Sequence, residues 1–136
     1  MEEIIEFLET YRESVSTPLE LPNHDDLVVI EEEILMPIPF DYREFLLSVS
    51  DVIYGNIEPA TAADPRSHTY LSEMTAQAWD LGLPRDVLPI CEYDGGYSCI
   101  DQNGKVSFWR FDEFSETTWE SIWHWARDVW LDGKVS

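Results

Sequence analysis

The sequence predicts an α+β domain, in which an antiparallel or mixed β-sheet packs against helices that precede and follow it. The sheet is predicted from residues 87–111, where two turn signals separate three short runs rich in aromatic and branched residues. The helices are predicted from apolar residues at helical spacing on both sides of that segment. Because a short meander needs a covering layer in water, we expect the helices to bury one of its faces. With 136 residues, the chain has the length of a single domain, residues 1–136.

The meander is predicted from its turns. Asp94–Gly96 forms the first, because glycine adopts the positive φ that hairpin turns require, and Asn103-Gly104 is a strong signal for the second. A three-residue first loop would place Cys91 opposite Cys99, so that both lie on the helix-covered face as buried, reduced thiols with a structural role. A two-residue loop at the two glycines would instead pair Glu92 with Cys99.

Five helices are predicted from the apolar pattern. In chain order they span Glu2–Val15, Asp25–Leu35, Phe40–Val49, Tyr70–Leu81 and about Ser115–Leu131. The second takes Asp25 or Asp26 as its N-cap, and the last begins with Thr117 and Glu120 at the spacing of a capping box. Between the third and the fourth, Val52–Ile57 is predicted as a strand or a strand pair. Residues 16–23 and 59–67 are predicted as loops.

The closing helix is expected to be a major packing element because of its tryptophans. Its main apolar stripe consists of Trp119, Ile122, Trp123, Ala126 and Trp130. Buried aromatic side chains each contribute a large area, so we expect this stripe in the core. Trp125 lies toward the edge of the stripe and is expected to be exposed.

The formal net charge of −20 limits the classes of partner. Residues 1–58 hold 15 acids and 2 bases, and residues 59–136 hold 13 acids and 6 bases. Such a field repels nucleic acid and anionic membranes and attracts basic proteins, although solubility alone would also account for it. No apolar run reaches the roughly 20 residues needed to span a bilayer, and Met1-Glu2-Glu3 lacks the positive start of a signal peptide. We therefore expect a cytoplasmic protein with a protein partner.

The signatures of catalysis and of cofactor binding are weak, so we expect neither an enzyme nor a cofactor. The three histidines, His24, His68 and His124, lack the spacing of a zinc site. The glycines of the first turn belong to a hairpin rather than to a phosphate-binding loop. A catalytic cysteine is the best enzymatic alternative, but two buried structural thiols are far commoner.

Two segments of the chain carry the motifs of a known family. The first is Phe40–Leu47, with the sequence Phe-Asp-Tyr-Arg-Glu-Phe-Leu-Leu, after a break that contains proline. The second is Leu88–Asp101, which enters with Leu-Pro-Ile and turns at Asp-Gly-Gly, followed by Gly104–Trp109 with its aromatic end. Together they resemble the SUKH superfamily, which includes the yeast cell-wall-assembly regulator, over about residues 24–132. The chain departs from that family at residues 50–55, where the family often has two adjacent glycines and this chain has one.

The resemblance implies an α+β fold and, for a single domain of bacterial type, an immunity protein. Such a protein is a cytosolic inhibitor that binds a toxin and blocks it. Combined with the charge, this leads to our first hypothesis, a non-catalytic domain that neutralises a basic toxin such as a nuclease. The alternatives are a general interaction or scaffold domain, suggested by an exposed Trp125, and a mimic of the charge of DNA.

The partner-binding residues are predicted on the acidic surface of the second helix and at the turns of the meander. They are Asp25, Asp26, Glu31, Glu32, Glu33, Glu92, Asp94 and Asp101. The three consecutive glutamates fan around the helix, so their carboxylates cannot converge on one hard cation, and we expect no metal site. Reversing their charge is expected to weaken partner binding with little loss of stability. A solvated surface without a partner would account for the same acids.

Overall fold

The computed structural model describes residues 1–15 and 19–132, so the first three residues of the predicted loop 16–23 lie outside it. The helices are α1 (Glu2–Tyr11), α2 (His24–Ile34), α3 (Phe40–Val49), α4 (Leu71–Asp80) and α5 (Ile122–Trp125), which continues as a π-helical turn, Ala126–Trp130. The strands are β1 (Leu88–Tyr93), β2 (Gly96–Ile100), β3 (Val106–Arg110) and β4 (Glu113–Trp119), antiparallel in the order β1-β2-β3-β4. The predicted α+β class is confirmed, and none of the described helices is long and apolar enough to cross a bilayer.

α1 ends earlier than predicted, at Tyr11, because the residues after it bind the segment that follows α3. The Arg12 guanidinium contacts the Asp51 carboxylate at 2.9 Å. The Glu13 N–H donates to Ile53 O at 2.8 Å. These contacts need an extended backbone, so the helix cannot continue through them.

α2 begins at His24 and its N-cap is Asn23, so the predicted cap at Asp25 or Asp26 is wrong. The Asn23 side chain accepts from the Asp26 N–H, and the Asp26 carboxylate accepts from the Asn23 N–H, both at 2.9 Å. This reciprocal pair satisfies two donors that a helix start would otherwise leave free. Asp26 therefore has a structural role.

The largest difference from the prediction is a fourth strand, β4, where the sequence predicts the start of the closing helix. Phe111 and Asp112 form a two-residue turn with φ of 54° and 62°, and Arg110 pairs with Glu113 across it. Neither turn residue is glycine or asparagine, so the usual sequence signal of such a hairpin is missing.

The closing helix is consequently shorter than predicted and starts at Ile122. Its N-cap is Ser121, whose Oγ accepts from the His124 N–H at 3.3 Å. The predicted capping box at Thr117 and Glu120 is wrong. The segment before the cap is extended because its β-branched threonines suit a strand.

The first hairpin turns over two residues, Asp94-Gly95, with φ of 50° and 76°. A bulge in β1 then shifts the pairing, so that Cys91 lies opposite Ser98 and Cys99 opposite Pro89. The predicted pairing of the two cysteines is wrong, as is the alternative register. The prediction that both cysteines lie on the helix-covered face is also wrong. They lie on opposite faces of the sheet, because Cys91 shares a face with Ser98, and Cys99 is the next residue along β2.

Both cysteines are buried and free, as predicted. Burial raises the pKa of the Cys91 thiol and of the Cys99 thiol to about 12. Because both thiols stay protonated at neutral pH, neither is an effective nucleophile. We expect an aromatic disulfide reagent at about pH 8 to find no fast thiol in the native protein and both thiols after unfolding. Rapid reaction of either thiol in the native protein would contradict this expectation.

The described residues 52–57 form no strand, so that prediction is wrong. The segment turns at Gly55, whose φ is 67°, and the Gly55 N–H donates to the Glu13 carboxylate at 2.8 Å. Two isolated bridges follow, in which Pro59 joins β1 and Thr61 joins the residue before α4. Residues 52–57 therefore connect the end of α1 to the part of the chain that bridges β1, but they do not pair with a strand themselves.

The aromatic core lies between the sheet and the helices α3 and α5. The Phe45 ring of α3 packs with Trp123, Trp125 and Trp130, at centroid separations of 5.5, 6.4 and 5.7 Å. Trp125 is fully buried, and its Nε1–H donates to Ser98 Oγ at 2.8 Å. The expectation of an exposed Trp125 is wrong.

Candidate partner-binding surface

One side of α2 faces solvent and carries apolar side chains between acidic ones. Residues three, four and seven positions apart share a side of a helix, and on this side they are Asp25, Val28, Val29, Glu32 and, at the C-cap, Leu35. Val28, Val29 and Leu35 are 44%, 51% and 89% exposed. We call these five residues the α2 face. An apolar centre within a charged rim is typical of a protein-binding surface.

The two valines of the α2 face contribute little to folding. β-branched residues lower helix propensity, and an exposed side chain gains little from hydrophobic burial. The buried stripe of α2 consists of Leu27, Ile30 and Ile34. Val28 and Val29 are not among the predicted partner-binding residues, which were chosen by their acidic charge. Their position off the buried stripe was the signal that would have found them.

Glu31, the first of the three consecutive glutamates, binds neighbouring parts of the fold. Its Oε1 forms an ion pair with Arg43 Nη1 at 3.0 Å, and its Oε2 accepts a hydrogen bond from the Ile38 N–H at 2.7 Å. These bonds tie α2 to α3 and to the loop between them. Hydrogen bonds to charged groups contribute about 1.5–3 kcal/mol. We therefore expect Glu31 to be needed for stability, unlike a purely solvated acid.

Glu33 faces the other side of α2 and binds the start of α4. Its Oε1 accepts from the Tyr70 hydroxyl at 3.2 Å and from the Ser72 hydroxyl at 3.0 Å. Burial raises the pKa of Tyr70, and the Glu33 carboxylate raises it further, so the phenol remains a donor. Glu32 lies between these two directions and is exposed. It is the glutamate of the three that is available to a partner.

The three predicted residues of the meander lie at two ends of the sheet. Asp94 is in the β1–β2 turn, near the exposed Glu92, whereas Asp101 precedes the β2–β3 turn. The strand between them has five residues, a length of about 15 Å. Asp94 pairs with Arg110 at 3.3 Å, and Asp101 accepts from two N–H groups of its own turn at 2.9 and 3.0 Å. The eight predicted acids therefore do not form the continuous row that a mimic of DNA requires.

One turn of the meander lies beside the C-terminal end of α2. Gln102 Nε2 donates to Pro37 O at 2.9 Å. The N–H of Ile38, the residue after Pro37, donates to the Glu31 carboxylate. The Asp101 turn is therefore held against the loop that follows α2. The β1–β2 turn lies at the opposite end of the sheet.

A cavity of about 300 Å³ near the end of α3 has mainly apolar walls, which include Trp130. At this cavity, His68 Nε2 and Glu58 Oε2 are 2.8 Å apart, and both side chains are exposed. The hydroxyls of Thr61 and Thr69 bond to each other at 2.9 Å. Because these hydroxyls do not bond to His68, the two threonines and the histidine do not make a nucleophile–base pair.

Comparison with known proteins extends along nearly the whole chain. Residues 1–131 match the family model SUKH_5, described as SMI1-KNR4 cell-wall. A crystal structure of a protein from Pseudomonas syringae pv. tomato is similar, with a TM-score of 0.94 and 54% sequence identity. That similarity covers 97% of this chain and 99% of the other. None of the curated proteins matches this chain.

Proposed function

This chain belongs to the SUKH (SMI1-KNR4) family, and on that premise we propose that it is a non-catalytic immunity protein that neutralises a basic bacterial toxin, such as a nuclease. The α2 face carries the proposal. Its exposed apolar centre and acidic rim, on a chain with a net charge of −20, fit a basic protein partner. The protein would act in the cytoplasm, on a toxin that reaches that compartment.

Recognition would combine long-range attraction with local burial. The acidic chain steers a basic toxin toward it and speeds association, and salt weakens this effect. Burial of Val28, Val29 and Leu35 against the toxin then slows dissociation. Asp25 and Glu32 at the rim select against acidic partners. Inhibition needs no chemistry, because the bound chain covers the toxin surface that meets its substrate.

The proposal is tested with the product of a toxin-like reading frame adjacent to the gene of this chain. We expect co-expression of the chain to restore growth to cells that produce the toxin. With purified proteins, we expect Kd to rise at least about tenfold between 0.05 and 0.5 M salt, because screening weakens the attraction. A toxin that stays active at saturating concentrations of the chain would contradict the proposal. So would a low-salt pull-down that recovers only acidic or neutral proteins.

A general scaffold domain without a toxin partner is the alternative. An exposed Trp125 would favour it, but that side chain is buried. A scaffold domain would still use the α2 face, because an apolar patch suits any protein partner. Growth rescue separates the two functions, since a scaffold domain does not protect cells from a toxin.

A further inference from the structure

The connection between α3 and α4 is long for a segment without regular structure. Residues 50–70 form no helix or strand. They are nevertheless held in place, since the Ala60 N–H donates to Ile90 O of β1 at 2.7 Å and the Thr61 N–H donates to Thr69 O at 2.8 Å. Connections longer than about 12–15 residues in a compact domain are usually either functional or disordered. An ordered connection of this length therefore indicates a functional site.

The connection forms most of the wall of the apolar cavity of about 300 Å³ at the end of α3. Apart from Leu19, Val49 and Trp130, the described walls of this cavity belong to residues 50–69. Sites for small molecules have volumes of about 300–1,000 Å³ and combine apolar walls with a few polar groups. The cavity is therefore large enough for the apolar body of a small molecule.

Two buried hydroxyls of the cavity belong to a chain of three. Thr69 Oγ1 lies 2.9 Å from both Thr61 Oγ1 and Ser67 Oγ, and the two threonines, which line the cavity, are 6% and 7% exposed. Each hydroxyl carries one proton, so the two contacts use two protons, and the third has no acceptor among the residues that the structure describes. When a threonine carries that proton, its hydroxyl can donate to a ligand in the cavity. The hydroxyl chain therefore selects a ligand with an acceptor oxygen.

The charge at the cavity selects against anions. The Glu58 carboxylate lines the cavity, whereas no lysine or arginine does so among the residues that the structure describes, and the whole chain has a net charge of −20. An ammonium ion would be attracted, but it has no lone pair that could accept a hydroxyl proton. A neutral molecule therefore fits both the charge and the hydroxyl chain.

We propose that this cavity binds a small neutral molecule with an apolar body and one acceptor oxygen, such as a ketone or a lactone. The apolar body lies against the walls that include Val52 and Trp130, and the oxygen accepts from the hydroxyl of Thr61 or Thr69. None of the five residues of the α2 face lines the cavity. The inference therefore does not rest on the proposed function.

The test is a titration of the ¹⁵N-labelled chain with 1-tetralone, a neutral bicyclic ketone, followed by chemical shifts. We expect saturable shifts at the amides of residues 50–69 and at the Trp130 indole N–H, which donates to Tyr54 O at 3.1 Å. Thr61→Val combined with Thr69→Val keeps the shape of both side chains but removes both hydroxyls, and it should weaken tetralone binding at least about threefold. Tetralin, the same bicycle without the oxygen, should bind this variant at least as tightly as the unaltered chain.

The matched control is Thr75→Val, which removes the hydroxyl of a fully buried threonine of α4 that does not line the cavity and should leave tetralone binding unchanged. The absence of saturable shifts at residues 50–69 and Trp130 would overturn the proposal, as would unchanged tetralone binding in the folded double variant. Equally tight binding of the anion 1-naphthoate to the unaltered chain would also overturn it, and this comparison needs no variant. None of these results involves a toxin, so the proposed function is tested separately by growth rescue.

Discussion

Trp125→Ala is expected to lower the free energy of unfolding by about 3–5 kcal/mol, the usual cost of removing a large buried aromatic side chain. Trp125 is fully buried, and its ring lies edge-on to that of Phe45. Its Nε1–H also donates to Ser98 Oγ, which in turn donates to the Tyr93 hydroxyl at 3.1 Å. The loss is a large part of the roughly 5–15 kcal/mol that stabilises a typical domain. Urea unfolding followed by far-ultraviolet circular dichroism measures it.

Two further variants separate the contributions of Trp125. Trp125→Phe keeps an aromatic ring but removes the donor to Ser98, and we expect it to cost about 1–3 kcal/mol. Phe114→Ala, at a position that is 46% exposed, should change the free energy of unfolding by less than about 0.5 kcal/mol. A loss below about 1 kcal/mol for Trp125→Ala would mean that this side chain does not hold α5 against the sheet.

The burial of Trp125 could not be predicted because it depends on where the last helix begins and how it is wound. A long α-helix from Ser115 places Trp125 at the edge of the apolar stripe. The actual helix begins at Ile122 and changes to π-helical winding after four residues, which alters the angle between successive side chains. The bond to Ser98 comes from β2, so its partner is distant in the sequence.

The elements that the sequence predicted well are those with local signals. α3 has the predicted bounds, Phe40–Val49, because its apolar residues keep a regular helical spacing. The second turn lies at Asn103-Gly104 as predicted, with φ of 90° at Gly104, but its loop has three residues, because the Asp101 N–H donates to Lys105 O at 3.0 Å. β4 was missed because Phe111-Asp112 is an unusual sequence for a hairpin turn. The Arg110 guanidinium lies over the Phe111 ring, 4.9 Å from its centroid, and donates to Asp94 O at 3.1 Å, and a local sequence pattern reveals neither contact.

For the candidate site, the sequence identified the acidic helix but not the roles of its acids. Three successive glutamates look equivalent in the sequence, yet Glu31 binds Arg43 and Glu33 binds Tyr70. These partners belong to α3 and to the start of α4, so only the fold shows that Glu32, unlike its two neighbours, makes no such bond among the residues that the structure describes. The proposed α2 face is therefore smaller than the predicted acidic surface, and it includes apolar residues.

Asp25→Lys combined with Glu32→Lys is expected to weaken toxin binding at least about tenfold, mainly through slower association. Both side chains are exposed on the α2 face. Neither substitution removes a bond of the kind that Glu31 and Glu33 make, so we expect the free energy of unfolding to change by less than about 1 kcal/mol. Stopped-flow association and urea unfolding measure the two quantities.

The matched control is Glu31→Lys combined with Glu33→Lys, which raises the net charge of −20 by the same amount. It removes the bonds to Arg43, Ile38, Tyr70 and Ser72, and we expect it to cost about 2 kcal/mol or more of stability. While this control remains folded, it should bind the toxin more tightly than the Asp25 and Glu32 variant, because the α2 face keeps its own acids. Equal losses of affinity in the two variants would mean that net charge alone drives binding. In that case the α2 face would not be the site of contact, since both variants weaken long-range attraction equally.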